Sequence, residues 1–415
     1  MDKLPSYPSI FLDSGNGWLG EPDQRERYIL FVSPVATLSF SDGVTSVAKD
    51  GESIKSKRDP LSILEGYLSE GYAATGYIGY EYSQYTDSGF IPTHEKDGDR
   101  YPDIFLNIYR LEDKKIGDIT QLRCDLSSLE QREISSNMIL DKGLISNMDE
   151  DAYKNMVIKV KSYIESGDIY QANLSQRYTA QFDLSPLDYF LRFYRAQPVP
   201  FGCFMDFGEF QIVSGSMELF LRKTGRKLQT RPIKGTRGRG RSEELDTIKC
   251  AELVSSDKER AENLMIVDLM RNDLSRICER GSVRVNSLFD IESYSTLHQM
   301  VSEIEGNINE TRGLADIVGD VFPPGSVTGA PKKRTLEIID ELEPHLRGPY
   351  CGALGIFYPD GDFVLSVGIR LLVTQAGKAT FWVGGGIVWD SDPGKEYEET
   401  LLKSYAIKKA LGIAE

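Results

Sequence analysis

The sequence predicts an α+β protein, on three observations. Stretches with the period of two of a β-strand, such as IFLNIYRL (residues 104–111), stand beside stretches with helical spacing. The two kinds do not alternate regularly, as a doubly wound parallel sheet would demand. Glycine loops break up both kinds, and polar residues crowd into a few short segments. The chain has 415 residues, too many for one ordinary core, which suggests two or three packed subdomains. Residues 1–145 are rich in aromatics and turn residues (GNGWLG, GYAATGYIGYEY, HEKDGDRYPD) and hold no catalytic cluster. The texture changes after Asp149, so a soft boundary is placed near residue 145, with 146–415 as the chemistry-bearing part.

Composition narrows the function classes. A net charge of −15 argues against a nucleic-acid or anionic-membrane surface, so an anionic substrate would need a local basic pocket or a bound metal. The five cysteines (Cys124, Cys203, Cys250, Cys278, Cys351) are odd in number and widely spaced, as expected of buried thiols in a reducing, cytoplasmic setting. The start MDKLPSYPSI has no apolar signal-like region, and no run approaches 18 apolar residues, so neither export nor a membrane span is expected.

In ESGDIYQANLSQRY (residues 165–178) a helix from about Asp151 stops at Gly167. The period then becomes two, with Ile169, Gln171, Asn173, Ser175 and Arg177 on one face. That face lines a polar cavity or is simply wet. In LQTRPIKGTRGRG (residues 228–240) Lys234 stands between Arg231 and Arg237, and neighbouring cations lower an amine's pKa. A neutral amine is a nucleophile. The alternative is an exposed basic loop or a phosphate cradle.

In SSDKERAENLMIVDLMRNDLSRIC (residues 255–278) the run Leu264–Met270 reads as a buried helix, with Asp268 paired to Arg271. Glu262 at its polar entrance is a metal ligand or a solvated carboxylate. In FPPGSVTGAPKKRTLEIIDELEP (residues 322–344) Pro331 opens a helix whose free N–H groups would favour an anion, unless it is an ordinary helix entry. In FWVGGGIVWDSDPGKEYEETLLKSYAI (residues 381–407) three glycines inside a strand suggest close approach of a ligand or backbone. A helix follows from Asp392 and Pro393, with Glu399 and Lys403 on one face. They form a surface ion pair of about 0.3–0.5 kcal/mol, or hold a metal and an anion respectively. Together these segments describe a small-anion site whose carboxylates suit magnesium.

Taken in order, GDIYQANLSQR, SGSMELFLR, RPIKGTRGRG, KERAENLMIVDLMRNDLSR, HQMVSEIEG, FPPGSVTGAPK, RGPYCGALG, SVGIR and GGGIVWDSDPGKEYEETLLK resemble the chorismate-utilising family over about residues 150–405. That family includes the anthranilate, aminodeoxychorismate, isochorismate and salicylate synthases. The resemblance implies two large antiparallel sheets packed together with helices outside. It implies Mg2+ held by Glu262 and Glu399, and substrate carboxylates held by Tyr350, Arg370, Lys403 and the backbone of Gly235 and Gly386. It places Thr236 and His298 beside the ring and makes Glu218 the general acid–base, although Met217 stands where the family has proline.

Two positions separate the branches. Gln171 stands where the isochorismate and salicylate branch carries a water-activating lysine, and an amide cannot act as that base. PIKGT, with Lys234, resembles the aminodeoxychorismate branch rather than the PIAGT of the anthranilate branch. The expectation is therefore a transferase that converts chorismate and ammonia to 4-amino-4-deoxychorismate, a precursor of 4-aminobenzoate and folate. With three histidines and no cysteine in a glycine-rich turn, ammonia is expected from a separate glutamine amidotransferase subunit. A tryptophan pocket of the resembling enzymes has counterparts at Asp13 and Ser14, and at Pro200 and Phe201, with Asp13 replacing a glutamate.

Overall fold

The computed structural model describes residues 7–15, 17–20, 26–86, 88–127, 143–294 and 297–413. Its strands are β1 Ser9–Asp13, β2 Arg27–Phe31, β3 Ala36–Ser41, β4 Val44–Lys49, β5 Glu52–Ser56, β6 Tyr72–Ile78, β7 Ile104–Arg110, β8 Lys114–Asp118, β9 Ile145–Ser146, β10 Gln171–Gln181 and β11 Phe201–Asp206. They continue with β12 Phe210–Ser216, β13 Leu219–Thr224, β14 Lys227–Arg231, β15 Ile233–Gly238, β16 Arg284–Ser293, β17 Leu297–Asn307, β18 Gly329–Ala330, β19 Ala353–Phe357, β20 Phe363–Val367, β21 Leu371–Gln375 and β22 Lys378–Ile387. The helices are α1 Pro60–Ser69, α2 Ile119–Ser127, α3 Glu150–Glu165, α4 Pro186–Ala196, α5 Glu243–Val254, α6 Asp257–Ile277, α7 Leu314–Val321, α8 Lys332–Leu342 and α9 Pro393–Leu411.

Two antiparallel sheets result. One has ten strands in the order β18-β10-β22-β21-β12-β11-β1-β2-β8, with β9 beside β10. The other has twelve in the order β15-β17-β14-β13-β20-β19-β6-β7-β3-β4-β5, with β16 beside β17. This is the α+β architecture expected. Strands from before and after residue 145 share both sheets, so the change of texture there accompanies jointly built layers. The largest apolar core takes Phe11, Phe31, Met205 and Ile212 from the first sheet and Leu38, Leu106, Leu354 and Val364 from the second, as face-to-face packing requires. A second core lies under α4 and α9 (Phe190, Phe193, Phe381, Ile407), and a third under α3 (Tyr153, Val157, Leu174).

Local chemistry sets the helix ends. Asp149 caps α3 by accepting from Ala152 N at 2.8 Å, and Gly167 follows with φ 80°. Asp392 caps α9 with Pro393 in its first turn, and Gly412 ends it at φ 75°. Pro331, expected as the first residue of α8, is instead its cap, and the helix starts one residue later at Lys332.

Two further expectations are corrected. Of the two readings of β10 the wet face is corrected: α3 and α8 cover one side, and on the other Ser175 meets Glu343 at 2.9 Å and Arg177 meets Asp97 at 2.9 Å, while Asn173 lines a cavity. In α6 the buried stripe is Ile266, Val267, Met270 and Leu274, while Leu264 and Asp268 face outward. The Asp268–Arg271 pair forms at 2.9 Å but on the surface. The buried carboxylate of α6 is Asp273, which meets Lys332 Nζ from α8 at 2.8 Å. A helical stripe returns every three or four residues, so one apolar run cannot bury all its sides.

Candidate active site

A cavity of about 1090 Å³ opens where α6, α9, β15 and β22 converge. Every predicted site residue but His298 lines it. β15 contributes Lys234, Gly235 and Thr236; the corner between β12 and β13 contributes Met217 and Glu218. Glu262 enters from α6, Glu399 and Lys403 from α9, Gly386 from β22, and Tyr350 and Arg370 from two turns.

The glycines of β22 are explained by close neighbours. A Cβ on Gly384 would meet Leu174 O of β10 at 2.2 Å. One on Gly386 would lie 2.7 Å from Gln171 Nε2 and 3.3 Å from Lys234 Nζ. One on Gly385 would lie 3.3 Å from Glu396 Oε2 and 3.8 Å from Glu399 Oε1. The bare backbone therefore lets α9 carboxylates close on one side of the strand and the Lys234 amine on the other. Gly235 has φ 87°, a conformation side chains rarely adopt.

Lys234 donates from Nζ to the Ser326 carbonyl at 3.2 Å. Burial lowers its pKa; Glu262 and Glu218 oppose this, and Lys403 reinforces it. The direction is as expected but the cause differs. Arg231 is paired with Glu292 and, at 3.5 Å, with Glu303; Arg237 is paired with Glu259 at 3.0 Å. Their charge is neutralised by carboxylates distant in sequence. Glu218 is buried, and that pushes its pKa up to about 7 against the pull of a Ser326 hydrogen bond and of Lys234. Such a group holds and releases a proton near neutrality. Met217 packs into the core under α4.

Three carboxylates repel one another. Burial raises Glu262, with Glu259 and Glu396 adding to the rise. Burial and Glu399 raise Glu396, whose Oε1 accepts from Ser391 at 2.7 Å. Glu399 is held low by Lys403, its partner at 2.7 Å. Among the described residues no set of three ligands is already gathered. One or two carboxylates beside a substrate anion nonetheless match how magnesium is usually held, and a dication would relieve this repulsion.

Of the three side chains expected to hold substrate carboxylates, Lys403 is paired with Glu399, whereas Arg370 and Tyr350 have no carboxylate partner among the hydrogen bonds and ion pairs of the described residues. Arg370, at φ 48°, donates to Gln197 Oε1 at 3.1 Å, and burial lowers its pKa. A guanidinium so placed is short of negative charge. Tyr350 is buried and stacks on Trp382 with centroids 6.1 Å apart at 8°. Lys403 Nζ also donates to Gly384 O at 2.9 Å. Gln171 is fully buried, and neither its Nε2 nor its Oε1 has a protein partner.

His298 is placed elsewhere. It contacts Ser293 Oγ through Nδ1 at 2.7 Å and Asp246 Oδ1 through Nε2 at 3.0 Å. Asp246 also accepts from Arg239 and from Gly240 N, so this network fastens α5 to β17. Asp246 would have had to be seen as a partner more than fifty residues away. The counterparts of the tryptophan pocket, Asp13 and Phe201, contact neighbouring parts of the chain. The Asp13 carboxylate accepts from the N–H groups of Gly15, Gly17 and Leu19 at 2.8, 3.1 and 2.8 Å. Trp18 packs edge-on against Phe11 and Phe201 and donates to Gly202 O at 2.9 Å. The start of α8 lies outside the residues lining the main cavity. Ser326 and Glu396 are among the lining residues that were not singled out from sequence. Ser326 lay unnoticed in FPPGSVTGAP, and Glu396 shares the face of Glu399 and Lys403 at helical spacing.

This fold with this cavity is that of the chorismate-binding enzymes, and the chain belongs to that family, matching it over residues 14–409. It is an enzyme acting on chorismate. It is 34% identical to the aminodeoxychorismate synthase component 1 of Bacillus subtilis (strain 168), over 94% of this chain and 90% of that one. It is 41% identical to the anthranilate synthase component 1 of Aquifex aeolicus, over 65% of this chain and 55% of that one. The crystal structure of anthranilate synthase component I from Streptococcus pneumoniae superposes with a TM-score of 0.77 at 27% identity, covering 99% of this chain and 93% of that one. Among the described residues no helix is long and apolar enough to cross a membrane.

Proposed function

We propose that this chain is the synthase component of a cytoplasmic aminodeoxychorismate synthase, converting chorismate and ammonia to 4-amino-4-deoxychorismate and water on the way to 4-aminobenzoate and folate. The observation that carries this reading is Lys234. Its amine is made less basic by burial and shares one cavity with Glu218, whose pKa is about 7. The 34% identity to the Bacillus relative over nearly the whole chain supports it.

In this reading the neutral Lys234 amine attacks C2 of chorismate while Glu218 protonates the departing 4-hydroxyl, which leaves as water. Ammonia then adds at C4 and expels the Lys234 amine, and the Glu218 carboxylate takes the proton that the new amine sheds. Arg370, Tyr350, Lys403 and the backbone N–H groups of Gly235 and Gly386 hold the substrate carboxylates, and Thr236 borders the ring. Glu262 and Glu399 would hold Mg2+, which when bound supplies positive charge at a substrate carboxylate. His298 acts through α5, as a support for β15.

Ammonia comes from a separate glutamine amidotransferase subunit. Burial pushes the thiols of Cys278 and Cys351 up to about 11 and about 12, and that of Cys203 higher still, the opposite of a nucleophile's requirement. The side chain of Cys124 lies outside the described residues.

The second reading is an anthranilate synthase component, favoured by the 41% identity to the Aquifex enzyme over the catalytic part. Incubating the chain with chorismate, Mg2+ and an ammonium salt, and identifying the product by chromatography with mass detection, separates them. A species converted to 4-aminobenzoate by the partner lyase supports the proposal; anthranilate overturns it.

A further inference from the structure

We propose that Ser326 is a positioning residue that joins the Lys234 nucleophile and the Glu218 acid in one hydrogen-bonded unit, its carbonyl accepting from the amine and its hydroxyl donating to the carboxylate. This deepens the reading above and rests on its assignment of Glu218 and Lys234.

The geometry is local and rigid. Ser326 is buried in a single 3₁₀ turn, Gly325–Val327, and lines the cavity. Its carbonyl is 3.2 Å from Lys234 Nζ, and its side chain lies beside Glu218, whose pKa it pulls down. The turn is held on every side. Arg347 Nη1 donates to Val327 O at 3.2 Å, and Arg347 is itself clamped by Glu343 at 2.7 and 2.8 Å. Asn173 N of β10 donates to Thr328 O at 2.8 Å, and Thr328 Oγ1 to Pro324 O at 2.9 Å. A Cβ on Gly325 would meet Leu269 of α6 at 2.6 Å, so the turn is wedged against that helix.

Each contact does a separate job. A carbonyl can only accept, so the amine must point an N–H at Ser326. In a neutral amine this turns the lone pair away from the turn. A hydroxyl donating to a carboxylate favours the charged form. It therefore offsets part of the burial that favours protonated Glu218. Without it Glu218 would be a weaker acid towards the leaving oxygen and would lose its proton only at higher pH. The other groups facing the unit are Cys351 towards Glu218, and Glu262, Glu399 and Lys403 towards Lys234.

The test compares wild type with Ser326→Ala and Ser326→Thr, at saturating ammonium and Mg2+. The reads are kcat, the chorismate Kd by fluorescence titration, and the pH profile of kcat/KM. For Ser326→Ala, kcat should fall by about tenfold or more, part of what general acid–base catalysis contributes. The Kd should stay within about twofold, since the turn and its carbonyl remain. One limb, that of Glu218, should move to higher pH, while the other, set by Lys234, stays. Ser326→Thr, which keeps the hydroxyl, should restore both kcat and the limb. Two unmoved limbs, a parallel shift of both limbs, or no recovery in Ser326→Thr overturns the proposal. If wild type makes a 2-amino product, the functional reading falls, while the link between Ser326 and Glu218 is still decided by the same limb.

Discussion

Replacing Glu218 with glutamine should stabilise the protein while removing its activity, and the gain should depend on pH. Glu218 is buried beside one hydroxyl and one amine, and its pKa stands at about 7 against an ordinary value of 4.5. A carboxyl raised on folding favours the fold fully when protonated, below its unfolded pKa. That contribution is lost as pH rises through the folded pKa. Glutamine keeps the shape and never ionises. At about 1.36 kcal/mol per unit, the wild type should therefore be less stable than Glu218→Gln by about 3 kcal/mol at pH ~8, and by under about 1 kcal/mol at pH ~5. Urea unfolding of both proteins at the two pH values, followed by tryptophan fluorescence, reads the gap directly. Turnover with chorismate and ammonium should fall by about 100-fold or more in the variant. A gap that is the same at both pH values, or a glutamine variant less stable at the higher one, would refute the claim that burial sets this carboxyl's proton affinity.

The glycines of β22 should divide by function. Gly384→Ala puts a Cβ 2.2 Å from a backbone oxygen and should destabilise the fold by about 1–3 kcal/mol in denaturant melts, whereas Gly386→Ala meets only the tips of Gln171 and Lys234 and should fold normally yet lose about 100-fold in kcat. Trp18→Ala should cost about 3–5 kcal/mol, and millimolar indole should recover part of the melting temperature by filling the vacated space; no response to indole would mean the site collapses. Arg347→Met leaves the Glu343 carboxylate buried without its cation and should cost about 3–5 kcal/mol, whereas Arg347→Met with Glu343→Gln should cost less, as a double-mutant cycle would measure.

The parts of the site legible in the sequence were those whose signal is short-range. The cap at Asp392, the proline after it and the pair Glu399–Lys403 four residues apart define a helix and one of its faces without any tertiary knowledge. The triple glycine announces a close approach, though not of what. Alternation in β10 places Gln171 and Asn173 on one face, but it cannot reveal that helices cover the other, because the covering elements are α3 and α8. The run through Leu264 reads as buried on all sides by composition; only packing chooses which stripe of a helix faces the core, and it chose Ile266, Val267, Met270 and Leu274.

Charge was the least legible property, because it is set by partners distant in the chain. Lys234 illustrates this. Its flanking arginines suggest repulsion, yet Glu292, Glu303 and Glu259 neutralise them, and the amine is surrounded instead by Glu218, Glu262, Glu399 and Lys403. Three carboxylates near an amine should raise its pKa, so the lowered value requires that desolvation exceed their combined pull. That balance has a chemical consequence. Any ligand that neutralises Glu262 and Glu399, a divalent cation above all, removes part of the pull that favours the ammonium and makes Lys234 a better nucleophile. The carboxylates that suit a metal and the amine that suits covalent catalysis are therefore coupled through one cavity. Loading the metal should lower the pH at which Lys234 reacts with an amine-directed reagent such as cyanate, as peptide mass mapping would measure. An unchanged labelling profile with and without Mg2+ would separate the two functions of the site.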